Sequence, residues 1–474
     1  MVGITSVGAY LPVYRLHRDE IARIWAGRSI GGTRAVAGYD EDTVTMAVVA
    51  ALDCLSRRGV GVNGFSLATT TAPYKEKQSA AIVASAADLS AECRTADFAN
   101  SLRASTIAVR SAIDTVKSGS AANVLVTASD CRMGATMGAL EQVLGDGAAA
   151  LMIGSEGVIA EVEGSYSVFN DFTDFWRADD DAFVRSAEGR FIDDVGYLPT
   201  MQEAISGLMD KYNLTLKDFS KIVYYAADAR QHAALARRLK LDKAQVQTPL
   251  YDKIGNTGTA AVFLMLLAAL EDSKASDRLL FAGYGDGCDA FILRVTGEIG
   301  KFQEKPVIST KLEGKVSISY GQYLNWRNLI PAEASTLPER LALSLPGRWR
   351  ERRAISALYG ARCKKCGTPQ FSQIGQTPRV CVNCQAKDEF EDYKFSDKKG
   401  ILFSYAIDQL QPTRNPPGVN GVVDFDGGGR MICELTDCDP EKVEVGMKVE
   451  MTFRKMFSSR GIHNYFWKAK PVDL

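Results

Sequence analysis

The chain has 474 residues, 46% hydrophobic and 24% charged, with a net charge of −1. That length exceeds one ordinary core and predicts two or three domains. The near-neutral charge lacks the footprint of a nucleic-acid or anionic-membrane binder, and no apolar run reaches the 18 residues of a membrane span.

The opening MVGITSVGAYLP has no basic stretch ahead of an apolar one, so no signal peptide is expected. Residues 1–298 alternate helical and strand patterns. TVTMAVVAALDCLSRRG reads as an amphipathic helix, and ADFANSLRAST as a strand running into a helix start. ANVLVTASD, GAAALMIGS, KIVYYAAD, RLLFAGYG and DAFILRV are short apolar strands, with GTAAVFLMLLAALEDSK a second amphipathic helical pattern among them. The alternation predicts a layered α/β fold. STIAVRSAIDTVKSGSAANVLVTAS faintly matches GTAAVFLMLLAALEDSKASDRLLFAGY, which predicts a duplicated fold whose two central helices start near one another.

Residues 299–358 are interrupted by proline, carry Trp326 and Trp349, and read as a connecting or docking arm. In 359–390, Cys363-x-x-Cys366 and Cys381-x-x-Cys384 predict a zinc ribbon in which four thiolates close a tetrahedral structural site. The other six cysteines are scattered, a usage that suits a reducing compartment, and a cytoplasmic location is expected. In 391–474, KGILFSYAID, GVVDFDGGGRMICELTD, VEVGMKVEMTFRKM and NYFWKAKPV predict a small β-barrel. Gly427–Gly429 reads as a hairpin tip, since no helix follows it.

GAYLPVYRLHRDEIARIW, YDEDTVTMA, ASDCRMGATMGALE, DFWR, GRFIDD and IGNTGTAA occur in the order in which they resemble the archaeal-type hydroxymethylglutaryl-CoA synthases of the thiolase superfamily. From about Leu324, GARCKKCGTPQF, the second CxxC and GIHNYFWKAKP resemble the rubredoxin-like zinc-ribbon and OB-fold proteins that accompany thiolase-like acyl-CoA enzymes. The resemblance implies a CoA thioester substrate, a homodimer through the thiolase-like part, and a catalytic Glu, Cys and His with a nearby Asn. Carried over residue by residue, the cysteine position holds Leu102, the glutamate position Thr70 and the histidine position Tyr225; only Asn256 matches.

An acyl-cysteine is thereby excluded at Leu102, while stabilisation of a thioester enolate is not. The expected activity is a CoA-thioester carbon–carbon lyase, a retro-aldol cleavage run in either direction, with Tyr225 and Asn256 catalytic. Tyr225 either donates at the reacting centre or packs in the core. Asn256 either serves the site or caps the following helix.

Arg103, beside the cleft, either meets a CoA phosphate or an acidic acyl group or simply faces solvent, and Leu102, Thr70, Asp174, Arg177 and Gly285 complete the expected substrate contacts. The glycines of GYGDG suit close backbone approach. His232 reads as solvated, Asp228 as a helix cap or a partner for Tyr225, and Cys131 and Cys288 as buried thiols or displaced nucleophiles. Two alternatives remain: a non-catalytic acyl-CoA-binding partner of an active thiolase-like enzyme, and a condensing synthase using Cys131 or Cys288.

Overall fold

The computed structural model describes residues 1–331, 333, 340–371 and 378–472, so parts of the expected arm, ribbon and terminal barrel lie outside it. The chain forms two compact units. The first comprises Met1–Ala37, Asp42–Ala84 and Leu89–Tyr320; the second comprises Gly38–Glu41, Ser85–Asp88 and Gly321–Leu474.

The first unit is built on a nine-stranded sheet. Its strands are β1 (Gly3–Tyr10), β2 (Gly64–Thr69), β3 (Arg94–Ala99), β4 (Asn123–Cys131), β5 (Asp146–Gly154), β6 (Ala160–Phe169), β7 (Lys221–Tyr224), β8 (Arg278–Tyr284) and β9 (Gly287–Val295), in the order β7-β8-β9-β6-β1-β5-β4-β2-β3. The order is symmetrical about the β1–β6 pair. On one side β2 and β4 run parallel and β5 turns back; on the other β7 and β8 run parallel and β9 turns back.

Helices repeat the same symmetry. α1 (Thr43–Ser56) packs on β1 and β5, as α3 (Leu198–Tyr212) packs on β6 and β9. α2 (Ala104–Lys117) precedes β4, as α4 (Ala261–Glu271) precedes β8. This is the duplication legible in the sequence. The α4 run AVFLMLLAALE is apolar all round and buried almost throughout, as a helix covered on every face must be. GAAALMIG in β5 is wholly buried, and its small residues suit helices packed close against the sheet.

The expected arm at 299–358 is not one segment. Val316–Ile318 adds a parallel strand beside Tyr14–Leu16, which holds the chain to Tyr320 in the first unit, and the rest belongs to the second. A continuous strand partner, invisible to composition, decides the boundary.

In the second unit, strands Tyr359–Cys363, Pro369–Gln370 and Phe390–Lys394 form a small sheet around the four cysteines. Five antiparallel strands follow, Lys399–Asp408, Gly418–Phe425, Arg430–Glu434, Lys448–Ser459 and Ile462–Pro471. A bridge between Leu435 and Ala469 joins the two outer strands and closes the OB-fold barrel. Gly427–Gly429 make its hairpin tip, all three with φ between +85° and +100°.

Candidate active site

The site lies where the repeated strand ends and helix starts converge. Tyr225 directly follows β7, is 2% exposed, and is pinned through its carbonyl by the Tyr197 hydroxyl at 2.6 Å. Asn256 Nδ2 donates to the Tyr225 hydroxyl oxygen at 2.9 Å and to the Ala227 carbonyl at 2.9 Å, while its Oδ1 accepts from Gly258 N–H. Asn256 therefore caps the turn into α4 and orients the phenol with one side chain. Burial raises the Tyr225 pKa, and Arg132 and the Asn256 hydrogen bond oppose it. The phenol stays protonated at neutral pH; with its lone pair engaged by Asn256, its own hydrogen is left to donate.

Leu102 is buried in the main core just before α2, and Arg103 is the helix N-cap. Gly285 crosses directly over this start: a Cβ there would lie 2.7 Å from Arg103 N and 3.0 Å from Leu102 N. With φ +151°, the position is open only to a residue without a side chain. The Arg103 guanidinium is used within the protein, donating to the Val168 carbonyl at 2.8 Å and the Asp286 carbonyl at 3.2 Å, with Asp289 at 3.6 Å. It clamps the glycine turn, which leaves it neither solvated nor poised for a phosphate.

Thr70 sits at the end of β2 and serves Asp130. The Asp130 Oδ1 accepts from Thr69 Oγ1, Thr70 N, Thr70 Oγ1 and Thr71 Oγ1 at 2.7–3.0 Å, and its Oδ2 accepts from Thr259 N at 2.8 Å. A carboxylate so fully engaged ties the end of β2 to the turn ahead of α4. Arg177, exposed, holds the Thr70 carbonyl at 2.6 Å.

Asp174 is different. It is 6% exposed; Oδ1 accepts from Phe175 N–H at 2.6 Å, and the buried Oδ2 has no hydrogen-bond partner. Burial raises its pKa, opposed by Phe175 N–H and the Tyr284 hydroxyl. Tyr225 and Tyr284 both feel its charge. A buried carboxyl with a free oxygen beside two phenols is a competent proton acceptor.

Of the residues expected in one site, the structure joins Tyr225 to Asn256, Gly285 to the backbone of Leu102 and Arg103, and Arg177 to Thr70. Sequence reasoning missed Asp130, Arg132 and Tyr284. The two charges of DCR, at the end of an otherwise uncharged strand, were the available signal for the first two.

His232 is corrected. It is 4% exposed, stacked on Tyr224 with ring centroids 4.3 Å apart, and burial lowers its pKa to about 4. Asp228 caps the helix Ala229–Arg238 by accepting from Gln231 N–H at 2.8 Å. Cys288 is fully buried, and burial raises its thiol pKa, which disfavours a nucleophile.

In the second unit, the sulfurs of Cys363, Cys366, Cys381 and Cys384 all lie within 4.8 Å of one another. Cys363–Cys384 and Cys366–Cys381 are 3.7 and 3.5 Å apart. Thiolates about 2.3 Å from one tetrahedral ion sit at such spacings.

Comparison with known proteins places this geometry. A family described as the C-terminal OB-fold domain of ChsH2 matches residues 393–454, and the C-terminal part of 3-oxoacyl-[acyl-carrier-protein] synthase III matches 209–295. Hydroxymethylglutaryl-CoA synthase of Methanocaldococcus jannaschii is 34% identical over 344 residues, 70% of this chain and 99% of the relative. That of Methanopyrus kandleri is 32% identical over 337 residues, 68% and 96% of the two chains. Among solved structures, an HMG-CoA synthase complexed with CoA superposes with a TM-score of 0.62 at 20% identity, covering 68% of this chain and 89% of that one. Matched to such relatives over nearly their whole length, the chain belongs to the thiolase-like hydroxymethylglutaryl-CoA synthase family, and it carries a ChsH2-type OB-fold domain in addition.

Proposed function

We propose that this member of an acyl-CoA enzyme family is a carbon–carbon lyase, cleaving a 3-hydroxyacyl-CoA to an acyl-CoA and an aldehyde or ketone, or running that aldol reaction in reverse. The observation that carries the reading is the Tyr225–Asn256 pair at 2.9 Å, set beside a helix start that offers only Leu102. A site without a thiol there can still stabilise an enolate.

In the forward direction Asp174 Oδ2 takes the β-hydroxyl proton. The Cα–Cβ bond breaks, its electron pair passes into the thioester enolate, and the carbonyl product leaves. Tyr225 donates to the enolate oxygen, an interaction worth about 3 kcal/mol for one well-placed donor. Asp174 then returns the proton to Cα, so no outside acid or oxidant is consumed. Asn256 and Tyr197 hold the phenol in place.

The four cysteines would hold a structural zinc, their closed shell leaving no position for substrate. A cytoplasmic homodimer through the first unit completes the proposal.

The test is mass spectrometry of the purified protein with a panel of 3-hydroxyacyl-CoA thioesters. Both products should form without an enzyme adduct, and Tyr225→Phe should lower kcat about 100-fold with CoA binding retained. An acyl-enzyme adduct would indicate a condensing synthase instead. Silence across the panel, with co-purification of a second thiolase-like protein, would indicate a non-catalytic partner subunit.

A further inference from the structure

Residues 225–227 run on past the end of β7, yet every backbone polar group they carry is taken. Tyr225 N–H donates to the Ala282 carbonyl at 3.0 Å, and the Tyr197 hydroxyl donates to the Tyr225 carbonyl at 2.6 Å. The Tyr251 hydroxyl accepts from Ala226 N–H at 3.2 Å and donates to the Ala226 carbonyl at 2.6 Å. Gln231 Oε1 accepts from Ala227 N–H at 2.7 Å, and Asn256 Nδ2 donates to the Ala227 carbonyl at 2.9 Å. Side chains supply all but the first of these partners, so neighbouring elements, and not a regular ladder, fix where this stretch lies.

One uncommon element stands behind two of them. Ile192–Tyr197 form a π-helix that leads into α3, and Pro199, which follows it, has no N–H to give the turn behind. Such wide turns are rare and gather at functional sites. This one presents Tyr197 to the Tyr225 carbonyl and Asp193 to Gln231. Asp193 Oδ1 accepts from Gln231 Nε2 at 2.9 Å, and its Oδ2 accepts from Arg230 Nη2 at 2.9 Å. Gln231 is 4% exposed, and both ends of its amide are spent inside the protein.

The brace reaches the phenol through Asn256. Its Nδ2 has two hydrogens, one given to the Tyr225 hydroxyl oxygen and the other to the Ala227 carbonyl. If the Ala227 peptide turns, the amide turns with it and the contact to the phenol is lost. We propose that Asp193 and Gln231 are positioning residues: they hold the Ala227 peptide so that Asn256 aims the Tyr225 phenol at the enolate oxygen. That Tyr225 acts on substrate rests on the lyase reading; the bracing of its hydroxyl does not.

The experiment measures kcat and KM for Gln231→Met, Asp193→Ala and Asp193→Asn, each alone and combined with Tyr225→Phe. It also follows the NMR resonance of the Tyr225 ring in protein labelled at the tyrosine Cζ, assigned by its absence from Tyr225→Phe. Gln231→Met and Asp193→Ala should lower kcat about ten- to a hundred-fold with KM unchanged, as expected for a slightly misplaced reacting group, and should shift the resonance. Asp193→Asn keeps an oxygen for Gln231 and should restore both. With Tyr225→Phe already present, the same changes should cost almost nothing further, because they act through the phenol. An equal further loss in that background overturns the proposal, since the brace would then serve the fold alone. So does a Tyr225 resonance that Gln231→Met leaves unmoved. If no carbonyl product forms but the resonance still moves with Gln231→Met and Asp193→Ala and returns with Asp193→Asn, the lyase reading falls and the brace stands.

Discussion

Replacing Arg454 by Met should unfold the second unit more readily than any surface change. Arg454 has no exposed surface; its Nη2 lies 2.6 Å from Asp437 and 3.1 Å from Glu41, its Nε 3.5 Å from Asp40, and its Nη1 donates to Thr452 Oγ1 at 2.8 Å. Lys468 covers Asp40 and Glu434 at 2.9 Å each. Burial alone would raise the Asp40 pKa, but Lys468 and Arg454 outweigh it and hold Asp40 below its ordinary value.

Without Arg454, the buried carboxylates of Glu41 and Asp437 lose the guanidinium that meets them both, which costs about 3 to 5 kcal/mol. For a domain of this size that is a Tm loss of roughly 10 °C. Calorimetry should show it, and so should the fluorescence of Trp467, buried in the adjoining strand and hydrogen-bonded to the Ser356 carbonyl. Adding Glu41→Gln and Asp437→Asn to Arg454→Met should recover most of the loss, because neutral amides need no counter-charge. A cost below about 1 kcal/mol for Arg454→Met, or no recovery in the triple variant, would refute the reasoning.

His232 should make the first unit acid-sensitive. Its folded pKa of about 4 lies below the unfolded value of 6.5, so the unfolded chain binds the extra proton. Stability is full above pH 6.5 and falls by about 3 kcal/mol as pH drops to 4, and His232→Phe should flatten that slope in denaturant titrations. Asp174→Asn should abolish turnover yet raise Tm at pH 7. The raised carboxyl pKa means stability falls as pH rises above the ordinary aspartate range, and the amide removes that cost. Gly285→Ala should cost about 1 to 3 kcal/mol and most activity, measured by thermal unfolding and turnover, since its Cβ meets the α2 backbone. One zinc per chain should be found by elemental analysis, with Cys381→Ser lowering both metal content and the thermal stability of the second unit.

The fold was legible because its signals are local or repeated. Apolar strands, helical patterns and paired CxxC knuckles read directly from adjacent residues, and the duplication showed as a self-match. The candidate site was half legible. Tyr225 and Asn256 could be located by motif, but their 2.9 Å contact links residues 31 apart. What escaped was decided by burial. His232 lies in a helix rich in arginine and so looked solvated, yet its ring packs on Tyr224. Arg103 looked available because nothing nearby in sequence claims it; its partners are 65 and 183 residues away. The charges of the terminal barrel were equally hidden, since the four acids that converge on Arg454 and Lys468 include two from residues 40–41, far away in sequence.

The second unit takes Gly38–Glu41 and Ser85–Asp88 from within the sequence of the first. The acids Asp40 and Glu41 therefore lie more than four hundred residues before the arginine and lysine that neutralise them. Until the strands that carry Arg454 and Lys468 are in place, these two carboxylates lack those partners. Severing the chain after Tyr320 would not release two finished proteins: one fragment would keep orphaned acids and the other orphaned cations. A single cut therefore cannot separate the two units, and a split form would first have to replace Asp40 and Glu41.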